Sequence, residues 1–209
     1  MNAEITQLFS VPMYRSRIIL TENDINNVKM LDYFPLDKEN GYGSSNTSIL
    51  EQSCFMDLKT ILYQHLNNYC DILKIQDNLQ FYITNSWSTL HKLNDGSRTH
   101  SHRNSLISGI LYIQCDENSG QIGFEKDLST TTIFPHSLDI QFKESNLLNM
   151  KHIMYKPCPG DLLIFPSFLQ HWVTPSSSDQ DRYVVAFNVF VKGTIGSGGT
   201  SSIDTIHIS

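Results

Sequence analysis

The sequence predicts one α+β domain that is mostly β, with helices early in the chain and an antiparallel sandwich or barrel after them. Apolar residues recur at three- or four-residue steps from Cys54 to Leu73, the period of an amphipathic helix. Beyond Leu79 the period falls to two, and the residues become rich in aromatic and β-branched side chains, as strands are. The strand-like runs that follow are divided by the turn-forming stretches CDENSG, CPG and TPSSSDQD, with no helical pattern between them. The 209 residues suffice for one sizeable core and are few for two.

Composition narrows the partners. With 40% hydrophobic and 11% aromatic residues the chain is globular rather than disordered. Fifteen basic against 21 acidic residues give a formal charge of −6 with no Lys/Arg cluster, so neither nucleic acid nor an anionic membrane is expected as a main partner. The opening MNAEITQLFSVPMYRS lacks the basic and apolar regions of a signal peptide. No apolar run approaches the roughly 20 residues needed to span a bilayer. Cys54, Cys70, Cys115 and Cys158 form no C-x-x-C pair and read as reduced thiols. A cytoplasmic protein is expected.

The elements follow in order. LFSVPMYRSRIIL reads as an opening strand interrupted by Pro12, and in TENDINNVKML either Thr21 or Asn23 can cap a short helix. NGYGSSNTS, residues 40–48, reads as a polar loop. The helix from Cys54 to Leu73 carries Phe55, Leu58, Leu62, Leu66, Tyr69 and Leu73 as a packing face. Strands are expected in LQFYITNSWSTLHKL, SLISGILYIQ, GQIGFEK, STTTIFP, SLDIQFK, MKHIMYK, GDLLIFP and RYVVAFNVFVKG. The expected boundaries are a helical part over about 20–75, a β core over about 79–192 and a flexible Gly/Ser-rich tail over about 193–209, whose last residues can add an edge strand.

Chemistry concentrates in a few positions. His100 and His102 stand two apart at what reads as a strand entrance, so their side chains share a face. His171 lies 69 residues beyond His102, after the buried-strand pattern GDLLIFP, and a closed or sandwiched sheet can bring it beside them. Imidazole suits iron, copper, nickel or zinc. Arg182 opens RYVVAFNVF eleven residues after His171. It reads either as a surface arginine beside Asp179 and Asp181 or as an inward guanidinium that needs an anion, whose carboxylate its fork would fit. Tyr112 and Ser108 share the parity of His102, and Asn188 that of Arg182; each is either core or a contact for a bound molecule. Trp87 reads as core packing, while His91, His136, His152 and His207 have no companion at ligand spacing.

An H-x-(D/E/H) pair, a later histidine after a P-G-D-L-L-x-F strand and a following arginine together resemble the iron(II)/2-oxoglutarate-dependent oxygenases. The pattern is most similar to a branch of small bacterial and phage proteins in that superfamily, through Trp87, HSHRNSLISGILY, SGQIGF, PGDLLIFPSFLQHWVTP and RYVVAFN. The likeness runs from about Ser86 to Gly193 and, more weakly, through LFSVPMY and the Cys54–Leu73 helix. It implies a double-stranded β-helix, or jelly roll, with the N-terminal helices packed on it. It implies His100, His102 and His171 as ligands of Fe(2+), and Arg182 as the anchor for the distal carboxylate of 2-oxoglutarate, with Tyr112 and Asn188 as further co-substrate contacts. The activity implied is a dioxygenase of hydroxylase type that uses O2 and converts 2-oxoglutarate to succinate, in a bacterial or phage-infected cell. A small molecule or a peptide is the expected substrate class.

One position departs from the wider superfamily: His102 stands where Asp or Glu is usual. Three neutral imidazoles leave the metal one unit more positive, which favours a dianionic co-substrate but also resembles cupin dioxygenases that do without 2-oxoglutarate. That reading, and a non-catalytic jelly-roll binding module, are the alternatives.

Overall fold

The computed structural model describes residues 4–5, 10–37, 40–126, 140–196 and 205–209. After Pro12 the chain enters β1 (Tyr14–Arg17) and then α1 (Glu22–Lys29). Thr21 is the N-cap: its hydroxyl accepts from the Asp24 backbone N–H while the Asp24 carboxylate accepts from the Thr21 N–H, satisfying two donors that the first helical turn would leave open. The short strands β2 (Tyr33–Pro35) and β3 (Tyr42–Ser44) form a hairpin, so part of the segment expected as a loop over 40–48 is paired. Two 3₁₀ turns lead into α2 (Met56–Ile72), where Leu58, Leu62, Leu66 and Tyr69 are buried. Each of those leucines contributes roughly 1.5–3 kcal/mol by leaving water.

The β core follows: β4 (Leu79–His91), β5 (Ser97–His100), β6 (Ile107–Gln114), β7 (Ile122–Glu125), β8 (His152–Tyr155), β9 (Asp161–Pro166), β10 (His171–Val173) and β11 (Arg182–Ile195). A last strand, β12 (Ile206–Ile208), pairs antiparallel with the end of β11, as the isoleucine alternation suggests. The strands form two antiparallel sheets. The larger runs β1-β9-β6-β11-β4-β3-β2, with β12 paired beside β11; the smaller runs β5-β10-β7-β8.

Strand parity divides the larger sheet between two cores. Ile107, Leu111, Ile113, Leu162, Ile164, Val185, Phe187 and Val189 face outward and pack with the buried residues of α1 and α2. The alternate residues Tyr112, Leu163, Phe165 and Val184 face inward and meet Ile122 and Phe124 of the smaller sheet. One close approach fixes a glycine: a Cβ at Gly109 would run into the ring of Phe187 on the neighbouring strand.

Two expectations change. The His100–His102 pair does not open β6; His100 ends the separate short strand β5, and His102 lies in the connection to β6. That connection turns through Asn104 at φ 55°, a left-handed conformation that asparagine tolerates. SLDIQFK is not a strand over its described part, 140–143. STTTIFP, with Phe134 and His136, lies outside the described residues.

Candidate metal centre

The smaller sheet builds the first half of the site. His171 at the start of β10 pairs in register with His100 on one side and with Phe124 of β7 on the other. His102 is held alongside by its backbone N–H, which donates to the Ser167 carbonyl at 3.0 Å. The result is a cluster in which one ligand atom from each of His100, His102 and His171 lies within 4.8 Å of the others. Ring centroids stand 4.3 Å apart for His100–His171, 5.2 Å for His102–His171 and 5.4 Å for His100–His102.

The hydrogen bonds of the rings set their tautomers. Nδ1 of His100 lies 2.7 Å from the Arg98 carbonyl, and Nδ1 of His171 lies 2.9 Å from the Leu169 carbonyl. Nδ1 of His102 lies 2.5 Å from Oδ1 of Asn188, which also accepts from the Ser108 hydroxyl. A carbonyl oxygen can only accept, so each Nδ1 carries the proton and each Nε2 keeps a lone pair. Burial lowers the pKa of His171 to about 3, and burial likewise lowers that of His102. These two imidazoles are therefore neutral at physiological pH, the form that binds metal. Three Nε2 lone pairs on one side of a cavity fit a transition metal with open positions left over.

The larger sheet supplies the second half. Arg182 opens β11 opposite His91 at the end of β4 and is 2% exposed, so it is not the surface arginine that its acidic neighbours allowed. Its guanidinium carbon lies 5.1 Å from the ring centroid of Tyr112, and its Nη1 donates to Nδ1 of His91 at 3.0 Å. Neither contact neutralises the charge, and among the described residues no carboxylate pairs with it. The Tyr112 hydroxyl and Arg182 Nε are the buried side-chain polar atoms left without a partner among those residues. A buried cation and a buried hydroxyl, both unsatisfied in one place, fit an anion with carboxylate geometry.

A cavity of about 600 Å³ joins the two halves. Its walls include all three clustered histidines, Arg182, and Ile110, Val184 and Ala186 on the inward face of the larger sheet. Trp87 and His91 of β4 line it too, together with Phe34, Pro35 and Leu36 from the β2–β3 hairpin. Trp87, expected in the core, instead stands against His102 with ring centroids 5.7 Å apart.

A family model described as "Putative 2OG-Fe(II) oxygenase" matches residues 85–188, the span that holds every one of these polar site residues. The matched stretch, residues 85–188, belongs with the 2OG-Fe(II) oxygenases. Iron(II) and 2-oxoglutarate are the cofactor and co-substrate of that family, and the histidine cluster and the unpaired guanidinium are suited to them in turn.

Solved structures similar to this chain carry the same jelly roll at low identity. A 2OG-Fe(II) oxygenase family oxidoreductase from Burkholderia pseudomallei superposes with a TM-score of 0.60 at 7% identity, over 85% of this chain and 83% of its own. A prolyl-4-hydroxylase from Pseudomonas putida gives 0.54 at 14% identity, over 86% and 93%. HygX from Streptomyces hygroscopicus, crystallised with nickel, 2-oxoglutarate and hygromycin B, gives 0.57 at 12%, over 86% and 82%. No curated protein matches the chain.

The residues named from sequence are distributed as follows. His100, His102, His171 and Arg182 line one cavity, and Tyr112 is buried against the Arg182 guanidinium. Asn188, expected as a co-substrate contact, accepts from His102 Nδ1 and from the Ser108 hydroxyl. His91 was passed over for want of a companion at ligand spacing. Its companion is Arg182, and only the β4–β11 register shows it.

Proposed function

We propose that this protein is an iron(II)- and 2-oxoglutarate-dependent dioxygenase, with His100, His102 and His171 as the metal ligands and Arg182 as the anchor for the distal carboxylate. The observation that carries the reading is the buried guanidinium of Arg182, which has no carboxylate partner among the described residues and sits in the histidine-lined cavity. Such a cation is costly unless an anion completes it. Bound iron with 2-oxoglutarate supplies oxidation of a substrate C–H bond by O2, coupled to decarboxylation of the co-substrate to succinate.

The chain's own residues have four tasks. The Arg98 and Leu169 carbonyls and Asn188 fix the ligand rings so that Nε2 faces the metal. Arg182 binds the distal carboxylate, and the Tyr112 hydroxyl, pushed up to about 12 chiefly by burial, stays protonated and donates to it. Ile110, Val184 and Ala186 exclude water from the anion. Trp87 and the β2–β3 hairpin form the wall against which a small molecule or a peptide side chain is held and hydroxylated.

Three neutral ligands leave iron(II) with two positive charges, which dianionic 2-oxoglutarate balances. The same ligand set favours a second reading, a three-histidine dioxygenase that acts on its substrate without 2-oxoglutarate. Incubation with iron(II), 2-oxoglutarate and a reductant decides between them: slow substrate-independent formation of succinate is expected. Absence of both succinate and any calorimetric binding of 2-oxoglutarate to metal-loaded protein would refute the first reading and leave the second.

A further inference from the structure

We infer that His91 is a positioning residue that aims the Arg182 guanidinium, and so sets the selectivity of the cavity for a dicarboxylate over a monocarboxylate 2-oxo acid. This rests on the reading that the cavity takes 2-oxoglutarate.

Hydrogen-bond direction sets the tautomer of His91. A guanidinium has donors and no acceptors, so Nδ1 of His91 must be the acceptor of the 3.0 Å bond from Arg182 Nη1. The ring proton is therefore on Nε2. That bond joins side chains whose backbones are paired in register across β4 and β11, so its two ends sit on rigid elements. The ring has no room to turn aside: it is 4% exposed, and a Cβ placed on Gly41 would come within 2.6 Å of its Cδ2. Gly41 itself is at φ +66°, which suits glycine and lets the hairpin backbone lie against the imidazole.

Holding Nη1 limits how the guanidinium can turn, and its carbon lies over the Tyr112 ring, 5.1 Å from the centroid. With one corner of the fork held by His91, the edge bearing Nε is left without a protein partner. An arginine held only by its aliphatic stem samples several rotamers, and ordering it on binding weakens affinity. His91 removes that disorder in advance. It does so without charge, so it does not compete with the anion, as an aspartate in its place would.

The test compares the parent protein, His91→Leu and His91→Asn, each loaded with redox-inert nickel(II), in calorimetric titrations with 2-oxoglutarate and with pyruvate. Pyruvate has the same 2-oxo acid end and lacks the distal carboxylate. His91→Leu is expected to weaken 2-oxoglutarate binding about tenfold or more, since the lost bond involves a charged group. Affinities for pyruvate and for nickel should not change, and His91→Asn, whose side-chain carbonyl oxygen falls where Nδ1 stood and can accept from Nη1, should recover most of the loss. If the ratio of 2-oxoglutarate to pyruvate affinity is unchanged in His91→Leu, or both affinities fall together, the positioning role is overturned while the function stands. If the parent protein itself shows no preference for 2-oxoglutarate, the proposed function fails and this inference fails with it. Should His91→Leu not fold, His91→Ala, which offers no acceptor to Nη1, takes its place with the same expected outcomes.

Discussion

Arg182→Met is expected to leave the ligand-free protein nearly as stable as the parent while abolishing its response to 2-oxoglutarate. Bringing a guanidinium into the interior costs several kcal/mol even after relaxation. The structure shows what offsets that cost: a hydrogen bond to His91, worth ~1.5–3 kcal/mol because the donor is charged, and the face of Tyr112, worth ~2 kcal/mol when desolvated. Methionine removes the cost and both gains together, and these are of similar size, while His91 Nδ1 stays open to the cavity it lines. The balance is a change of about 1 kcal/mol in either direction, or ~2–4 °C in Tm for a chain of this size. A structural ion pair broken at one end would instead cost ~3–5 kcal/mol. Ligand reverses the comparison. At a hundred times its Kd, 2-oxoglutarate stabilises the parent by ~2.7 kcal/mol and Tm by roughly 5–11 °C, whereas the variant gains nothing. Thermal unfolding of nickel-loaded protein with and without 2-oxoglutarate reads both effects. A variant that melts far below the parent without ligand, yet still shifts with it, would show Arg182 to be a structural strut and refute the reasoning.

Two further outcomes follow from the hydrogen bonds and pKa shifts of the site. Asn188→Leu removes the acceptor that fixes His102 and should weaken nickel(II) binding about 10–100-fold with little change in Tm; an unchanged calorimetric affinity would exclude Asn188 from holding the ligand. His91 and His171 both titrate near 3 in the folded protein, chiefly through burial, against 6.5 when unfolded. Above pH 6.5 neither state takes up the proton, and stability from these groups is fully present. As pH falls from 6.5 toward 3 the unfolded chain binds protons that the folded one refuses, and each histidine removes about 1.4 kcal/mol per pH unit. Denaturant melts of metal-free protein should therefore show stability falling with acid over that window, and His91→Gln should fall less steeply. Parallel curves for the two proteins would count against a neutral, buried His91.

Much of this architecture is legible in the chain because it depends on local periodicity. The α2 stripe, the capping box at Thr21 and the alternation through β4, β6, β9 and β11 are each written within a few residues. Short pieces are not: β2, β3, β5 and β10 have three or four residues, too few for a period to show, and their pairing is long-range. That is why the sequence places the His100–His102 pair at the start of β6, whereas His100 ends β5 and His102 lies in the connection after it. The ligand spacing survives the error, since the rings still stack 5.4 Å apart.

Legible in the chain are the side chains that gather at the cavity: two histidines, a third after a buried strand, and an arginine opening a later strand. Motif order expresses that, because ligands and anchor must lie on elements that can face one cavity. The tertiary structure alone decided what each is joined to. Asn188 turns to His102 and His91 to Arg182 through strand register, and Trp87 faces the cavity instead of the core. Register is fixed by how two faces of a sheet are buried against helices and against the second sheet, and no short window of residues contains that information.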